Sequence, residues 1–508
     1  MPHPEVASHP ILALESAKAF EAALFGGDAA LEWEAMSRAG RAIAAAVLRD
    51  ALEAGGLSGS VRVLVLCGKG NNAGDALVAA HAILSGNPRA SCDVLFAFGP
   101  RALRPLALRA WREVSIAIPG RVRSVDSAGV APAYDLCIGG IFGYQFRPPL
   151  TDEVRAVIAA ASAARIRFRA AVDLPSGLDE PGAFRADFTY ATGSVKAPSV
   201  GSPNAGRLRY LDLGFFGSPA VAKFDSGEGD RVLLPAILDG LRGLRPASSD
   251  KRSQGHLAIL GGSTRYPGSV LLATRAALRS GAGLVTAMVP ASLVPAFAAQ
   301  APEAMWVGLP ETSAGELALS GLAPALAGAE RATAIAVGPG LGKGAETHAL
   351  VKAFLSACAV PLVIDADGLQ PDLVRAGKAP RILTPHAGEL LRISGGLGLA
   401  ELARSLPGVV VAKGPVTRIC AGQAVYHGLF GGPVLARGGS GDLLAGLAGG
   451  LLAQEPGDPL GGACRAVLWH AMASDALARA HGQAAVHTAQ VLDFLPHALR
   501  ESESCPPR

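Results

Sequence analysis

The feature that most limits how this chain can fold is a recurring unit. A short apolar run ends in a glycine-rich or polar loop, and a segment of helical period follows. Residues 61–67 are the clearest case, closed by Gly68 and followed by Ala- and Leu-rich sequence. Such a run suits a strand covered on both faces. Residues 92–98, 134–138 and 168–174 read as further strands, with helices predicted over 17–24, 33–52, 106–114 and 153–164. Strands alternating with helices imply βαβ units and a parallel sheet, an α/β fold class. A second series opens at 257–260 and continues at 284–289, 334–337, 362–364 and 409–412. Between the two series, 218–230 and 242–254 are rich in Gly, Ser, Pro and charge, which predicts a connection there. The boundary is placed at 225, giving domains over 1–225 and 226–508.

Composition removes other classes. The chain is 50% hydrophobic and only 17% charged over 508 residues, so it can bury large cores. A net charge of +4 spread over that length is too weak to argue for nucleic acid or an anionic membrane surface. The 63 Gly and 36 Pro follow no fixed period, which excludes a collagen-like chain and leaves many tight loops. The longest charge-free run, 280–302, holds Pro290, Pro295 and Pro302. Proline in a helix interior costs roughly 3 kcal/mol, so this run predicts strand, turn and short helix instead of a membrane span. Glu5 and Glu15, with no basic patch before an apolar run, argue against a secretory signal. Seven scattered cysteines without a Cys-x-x-Cys pair fit a reducing cytoplasm and exclude a disulfide framework or a thiolate zinc site.

Two loops carry chemistry in the first half. Cys67-Gly-Lys-Gly-Asn-Asn-Ala-Gly-Asp75 follows a buried strand and opens a helix. Its glycines let backbone approach a ligand, and the helix start offers N–H groups to an anion. Asn71 and Asn72 add amide groups and Asp75 a carboxylate, at the strand end where α/β sheets bind ligands. Val172-Asp-Leu-Pro-Ser-Gly-Leu-Asp179 puts Asp173 at another strand end and Ser176 in a turn set by Pro175 and Gly177. Alone, these residues make an ordinary turn equally well.

In the second half, Arg437-Gly-Gly-Ser-Gly-Asp442 leads into the small, apolar stretch 443–452. Glycines before a helix make an anion cradle, and Asp442 is placed to take a proton from a hydroxyl attacking phosphorus. Thr384-Pro-His-Ala-Gly-Glu389, Ile364-Asp-Ala-Asp-Gly-Leu369, Val337-Gly-Pro-Gly-Leu-Gly342 and Lys413-Gly-Pro-Val-Thr417 also follow strand-like runs. His386 reads as a hydrogen-bonded loop histidine more readily than as a catalyst. Asp365 and Asp367 suit either Mg²⁺ held through water or plain turns, and Lys413 either a phosphate contact or a solvated strand end.

With Met36-Ser-Arg-Ala-Gly40 and Lys196, the first-half motifs resemble the epimerases of hydrated NADH and NADPH. The resemblance implies a Rossmann-like three-layer domain. It implies a hydrated dinucleotide held by Asn71, Asn72, Ala73, Gly74, Asp75, Gly143 and Asp173, with Asp173 at the reacting ring, and potassium on Asn72 and Ser176. There is one departure in Gly139-Gly-Ile-Phe-Gly143: Gly139 stands where the family has an acidic ligand, and losing a charged ligand weakens a hard-cation site. Ala73 also replaces the family's usual Gly.

Gly261-Gly-Ser263, Tyr266-Pro-Gly268, Gly338 to Gly342, Thr384 to His386, Lys413-Gly414 and Gly439-Ser-Gly-Asp442 are similar to the ADP- or ATP-dependent dehydratases of the same hydrates. That family implies a ribokinase-like α/β domain. Nucleotide is then expected at Lys413, Gly414, Pro415, Val416, Thr417 and Gly441. Substrate is expected at Ser269 (where the family usually has Ala), Gly340, His386 and Asp442, with Asp442 as base and Mg²⁺ at the phosphates. Epimerase then dehydratase is the order of the bacterial NAD(P)H-hydrate repair family. That order implies ADP as co-substrate and small-molecule partners only, with neither nucleic acid nor membrane. A homo-oligomer stays open, since 443–452 suits a core or a subunit contact. A competing reading makes the second half a small-molecule kinase for a hydroxymethyl heterocycle and the first a non-catalytic nucleotide-binding module.

Overall fold

The computed structural model describes residues 6–500, which form two compact units. One is built mainly on His9–Gly227 and the other on Glu228–Leu477, each with short pieces from elsewhere in the chain.

Near its start the first unit has two helices, α1 (Leu14–Phe25) and α2 (Ala29–Asp50). There follow β1 (Arg62–Cys67), α3 (Asn71–Gly86), β2 (Ser91–Phe96), α4 (Pro105–Ala117) and β3 (Val122–Val125). Next come β4 (Ala133–Gly140), α5 (Asp152–Ala163), β5 (Arg165–Val172), β6 (Phe188–Thr192) and β7 (Arg207–Leu211). The seven strands are parallel throughout, in the order β3-β2-β1-β4-β5-β6-β7. The order reverses between β1 and β4, the position where doubly wound sheets open a ligand crevice.

Residue alternation along β1 explains why that run is apolar on both faces. Val63, Val65 and Cys67 pack in a core with side chains of α2, α3 and α4, whereas Leu64 and Leu66 pack in a second core with Val154, Val157 and Ile158 of α5. All five strand residues are fully buried. At about 1.5–3 kcal/mol for each large side chain, both layers depend on this strand. The strands absent from the sequence reading are less apolar. The edge strand β3 alternates with Arg123 and Ser124, and β6 and β7 carry Thr189, Arg207 and Arg209.

The second unit contains β8 (Gly229–Leu233), β9 (His256–Leu260), α6 (Pro267–Arg279), β10 (Leu284–Pro290) and β11 (Met305–Leu309). It continues with β12 (Ala334–Val337), α7 (Ala345–Ala357), β13 (Leu362–Ile364), β14 (Arg381–Leu383), α8 (Ala387–Ser394) and β15 (Gly408–Ala412). The hairpin β16 (Thr417–Ala421) and β17 (Ala424–Gly428) precedes α9 (Ser440–Gln454). Strands run β11-β10-β9-β12-β13-β14-β15-β16-β17-β8, parallel from β11 to β15 and antiparallel at β15–β16–β17. Here too the order reverses beside the first strand of the parallel set, between β9 and β12.

Two expectations meet different outcomes. Residues 280–302 form strand β10, a short turn and the helix Val294–Gln300, as the prolines predict, and no described helix is long and apolar enough to cross a membrane. The stretch 218–230 is not all connection, because Gly229 and Asp230 begin β8, which pairs in parallel with β17. Only Arg231, Val232 and Leu233 of that strand are buried, too short an apolar run to register against its Gly- and Asp-rich approach.

Stretch 443–452 packs inside the unit, with α9 crossing α6 at backbone distance. A Cβ on Gly446 would lie 2.1 Å from the Ala273 carbonyl oxygen. We therefore expect Gly446→Val to lower unfolding free energy by about 1–3 kcal/mol or more through overpacking, read by chemical denaturation. An unchanged midpoint would mean the two helices separate freely.

Candidate functional sites at two strand-end mouths

In the first unit, the loops after β1, β4 and β5 converge on a cavity of about 490 Å³. Backbone meets backbone where the sheet order reverses: a Cβ on Gly68 would lie 1.9 Å from the Ile141 carbonyl oxygen. Asn71 starts α3 exposed, while Ala73, Gly74 and Asp75 are buried in its first turns, with Met36 packed on Gly74. The Asn72 amide donates to the Val172 carbonyl at 2.9 Å, tying the loop after β1 to the end of β5, and Gly143 passes directly over the Asn72 side chain.

Asp173 follows β5 with φ of 63°, a region that residues with side chains seldom use, though Asp tolerates it better than most. Its N–H donates to the Tyr190 carbonyl at 2.9 Å, and its carboxylate accepts from Lys196 at 2.6 Å. Both side chains of this ion pair are buried. Burial first, then the nearby Asp173 and Glu21 charges, push the Asp75 carboxyl well above the usual carboxylate range, against the pull of Lys196. Asp75, Asp173 and Lys196 line the same cavity.

Two lining residues were not anticipated from the sequence. Glu21 on α1 accepts a hydrogen bond from the Tyr144 hydroxyl at 2.7 Å, and both face the cavity. They are 123 positions apart, so no spacing rule joins them, and Glu21 stands in a helix whose pattern signals only burial.

The residues expected to hold potassium, Asn72 and Ser176, have no acidic partner at position 139. A Cβ at Gly139 would sit 2.8 Å from the Phe184 ring, so that ring occupies the room an acidic side chain needs. The Ser176 hydroxyl accepts from the Phe142 N–H at 3.0 Å, and the Asn72 amide is turned to Val172. With glycine at 139, the acidic ligand expected of this set is absent.

In the second unit, the strand-end loops after β13, β14 and β15 meet the start of α9. Asp365 accepts from Thr384 at 2.7 Å and from Lys413 at 2.8 Å. Gly439 turns the chain with φ of 88°, and Gly441 brings the helix start within reach of both charges: a Cβ there would be 3.1 Å from the Lys413 ammonium. Asp442 stands in the first turn of α9. Burial, then the Asp365 charge, raise its carboxyl to about 6, against a hydrogen bond from Ser269 and the charge of Lys413. Gly340, with φ of 68°, packs where a Cβ would be 3.1 Å from the Ser269 Cβ. The structure thus brings Ser269, Gly340, Lys413, Gly441 and Asp442 together.

His386 has a structural duty. Its Nδ1 accepts from the N–H groups of Gly388 and Glu389 and caps α8, while the Glu389 carboxylate accepts from its backbone N–H. The side chain is exposed, and its Nε2 lies 3.4 Å from the Glu389 carboxylate. Gly414, Pro415, Val416 and Thr417 form the turn from β15 into β16, with Gly414 and Pro415 exposed.

A family model described as NAD(P)H-hydrate dehydratase matches residues 257–497, and one described as the YjeF-related protein N-terminus matches 33–197. The bifunctional NAD(P)H-hydrate repair enzyme of Moorella thermoacetica is 34% identical over 87% of this chain and 88% of its own. That of Gloeobacter violaceus is 37% identical over 91% and 92%. Among solved structures, an ADP/ATP-dependent NAD(P)H-hydrate dehydratase from Bacillus subtilis, co-crystallised with ATP and Mg²⁺, is 28% identical. It covers 52% of this chain and 96% of its own, with a TM-score of 0.44.

The buried ion pair of the first mouth is testable without any substrate. Lys196→Met should cost about 3–5 kcal/mol of stability at neutral pH, because it leaves Asp173 buried and uncompensated. Equilibrium urea unfolding measures it, and a loss below about 1 kcal/mol would show that solvent reaches the carboxylate.

Proposed function

The chain belongs to the family of bifunctional NAD(P)H-hydrate repair enzymes, and from that premise we propose how its two mouths divide the work. It is an enzyme that repairs hydrated NADH and NADPH, pairing an epimerase with a hydrate dehydratase. We assign epimerisation to residues 1–225 and dehydration to 226–508.

In the second mouth, Asp442 is the base. It takes the proton of the C6 hydroxyl while that oxygen attacks the terminal phosphorus of the nucleotide, and the bond to the departing nucleotide breaks. The ring nitrogen then expels phosphate, and loss of a C5 proton restores the dihydronicotinamide. With ADP as donor the products are AMP and phosphate. The start of α9 at Gly441 receives the transferring group, and Lys413 offsets its charge. Lys413, Gly414 to Thr417 and Gly441 hold the nucleotide, with Ser269, Gly340 and His386 around the substrate. Asp365 and Asp367 are hard oxygen donors at strand-end loops, suited to Mg²⁺ held mainly by nucleotide phosphates and water. Bound there, the ion screens phosphate charge. The observation that carries this reading is Asp442 itself, a half-buried carboxyl raised to about 6 behind a glycine turn and beside a lysine.

In the first mouth, Asn71 to Asp75 and Gly143 hold the hydrated dinucleotide, and Asp173 handles the proton as C6 loses and regains its oxygen. No step passes through potassium, since Gly139 supplies no acidic ligand and the Phe184 ring fills that place. We place the enzyme in the cytoplasm, a reading supported by six described cysteines that are all free thiols.

Incubating both hydrate epimers with and without ADP and Mg²⁺ tests the scheme. Both epimers should be recovered as dihydronicotinamide with inorganic phosphate; a phosphorylated organic product would instead make the second half a kinase. Asp442→Asn should slow dehydration by about 10²–10⁴-fold and leave epimer exchange intact. The raised carboxyl must be ionised to act, so wild-type dehydration should fall as pH drops through about 6. A rate flat from pH 5 to 8 would reassign the base. Epimer exchange should proceed equally in potassium and sodium buffers, and a strong potassium requirement would contradict the Gly139 geometry.

A further inference from the structure

We propose that Glu21, acting through the Tyr144 hydroxyl, is a second proton-handling group of the epimerase mouth. This rests on reading the first mouth as the epimerase site. Glu21 lies before the stretch 33–197 that the family model matches, and nothing in the matched motifs points to it.

The chemistry asks for two such groups. Oxygen must leave C6 as water and return to the other face of the ring, so one group gives a proton and another takes one. Asp173 is engaged with Lys196 at 2.6 Å. Tyr144 and Glu21 form a separate hydrogen-bonded pair at 2.7 Å, with the Lys196 ammonium 5.8 Å from the Tyr144 ring centre. Both pairs open on one cavity. The groups acting on Glu21 are Lys196, Tyr144, Asp173 and Glu32, with Asp75 beyond, and Lys18, Lys69 and Arg104 line the same cavity. Burial raises the Glu21 carboxyl above its ordinary range, against Lys196 and the hydrogen bond from Tyr144.

The step balances without another reactant. Glu21, in its acid form, passes a proton to the Tyr144 oxygen as Tyr144 gives its own to the C6 hydroxyl. The C6–O bond breaks, water leaves, and the nitrogen lone pair forms the second C6–N bond. Water then adds to the other face, that pair returns to nitrogen, and the water's extra proton passes to Asp173. Solvent, or the reverse turnover, returns it to Glu21.

The test uses the full chain with a single purified hydrate epimer, following exchange without nucleotide across pH. Glu21→Gln and Tyr144→Phe should each lower kcat for exchange by about 100-fold at unchanged KM, and Glu21→Gln should lose the alkaline limb of the rate profile. The Tyr144→Phe variant keeps the ring, so a folding defect confined to Glu21→Gln leaves the proposal testable. If Asp173→Asn abolishes exchange while both variants retain the wild-type rate and profile, this proposal falls and the mouth assignment stands. If the wild type exchanges no faster than buffer alone, both fall.

Discussion

Each mouth sets several carboxyl groups around one lysine that pairs most closely with only one of them. In the first, Lys196 binds Asp173 at 2.6 Å with Asp75 and Glu21 nearby; in the second, Lys413 binds Asp365 at 2.8 Å with Asp442 nearby. A lysine can neutralise only one neighbour closely, so the carboxyls left over are driven upward by burial and by each other. Asp75, Glu21 and Asp442 are thereby raised above the ordinary carboxylate range, which suits groups that exchange protons. The two units reach this arrangement with different loops on similar sheets.

The sheets make the crowding feasible. Parallel strands end side by side, so the residues just beyond β5, β13, β14 and β15 are neighbours in space without being neighbours in sequence. Where the strand order reverses, loops from β1 and β4 depart to opposite faces, and the gap is narrow enough that Gly68 has backbone oxygen within 1.9 Å of a would-be Cβ. Glycine there lets the two loops meet backbone to backbone, and the side chains that do chemistry line the cavity beside them.

How much of this was legible follows from the range of the forces involved. Strand β1 and the loops after it could be read because burial on both faces writes a local apolar run, and because Gly, Asn and Asp at a strand end have a local physical meaning. Arg381 shows the opposite case. It is fully buried in β14 and donates to the carbonyls of Val374, Ala376, Gly377 and Ala379, yet nothing adjacent marks an arginine as core. His386 reads locally as a hydrogen-bonded loop histidine, and in the structure its Nδ1 caps α8. Glu21 and Tyr144 escaped notice because their meaning lies wholly in a contact that spans much of the unit.

The loss at Gly139 follows the same electrostatic logic. A buried carboxylate with a bound monovalent cation adds no net charge to the mouth. Removing the cation alone would strand the carboxylate, and removing the carboxylate alone would expel the cation, each at a cost of several kcal/mol. Removing both together, and filling the space with the Phe184 ring, exchanges an ion pair for apolar packing, which is commonly neutral or stabilising. The balance among Lys196, Asp173, Asp75 and Glu21 then stays as it was. Lys196 holds Asp173, and Glu21 and Asp75 are the raised carboxyls beside them.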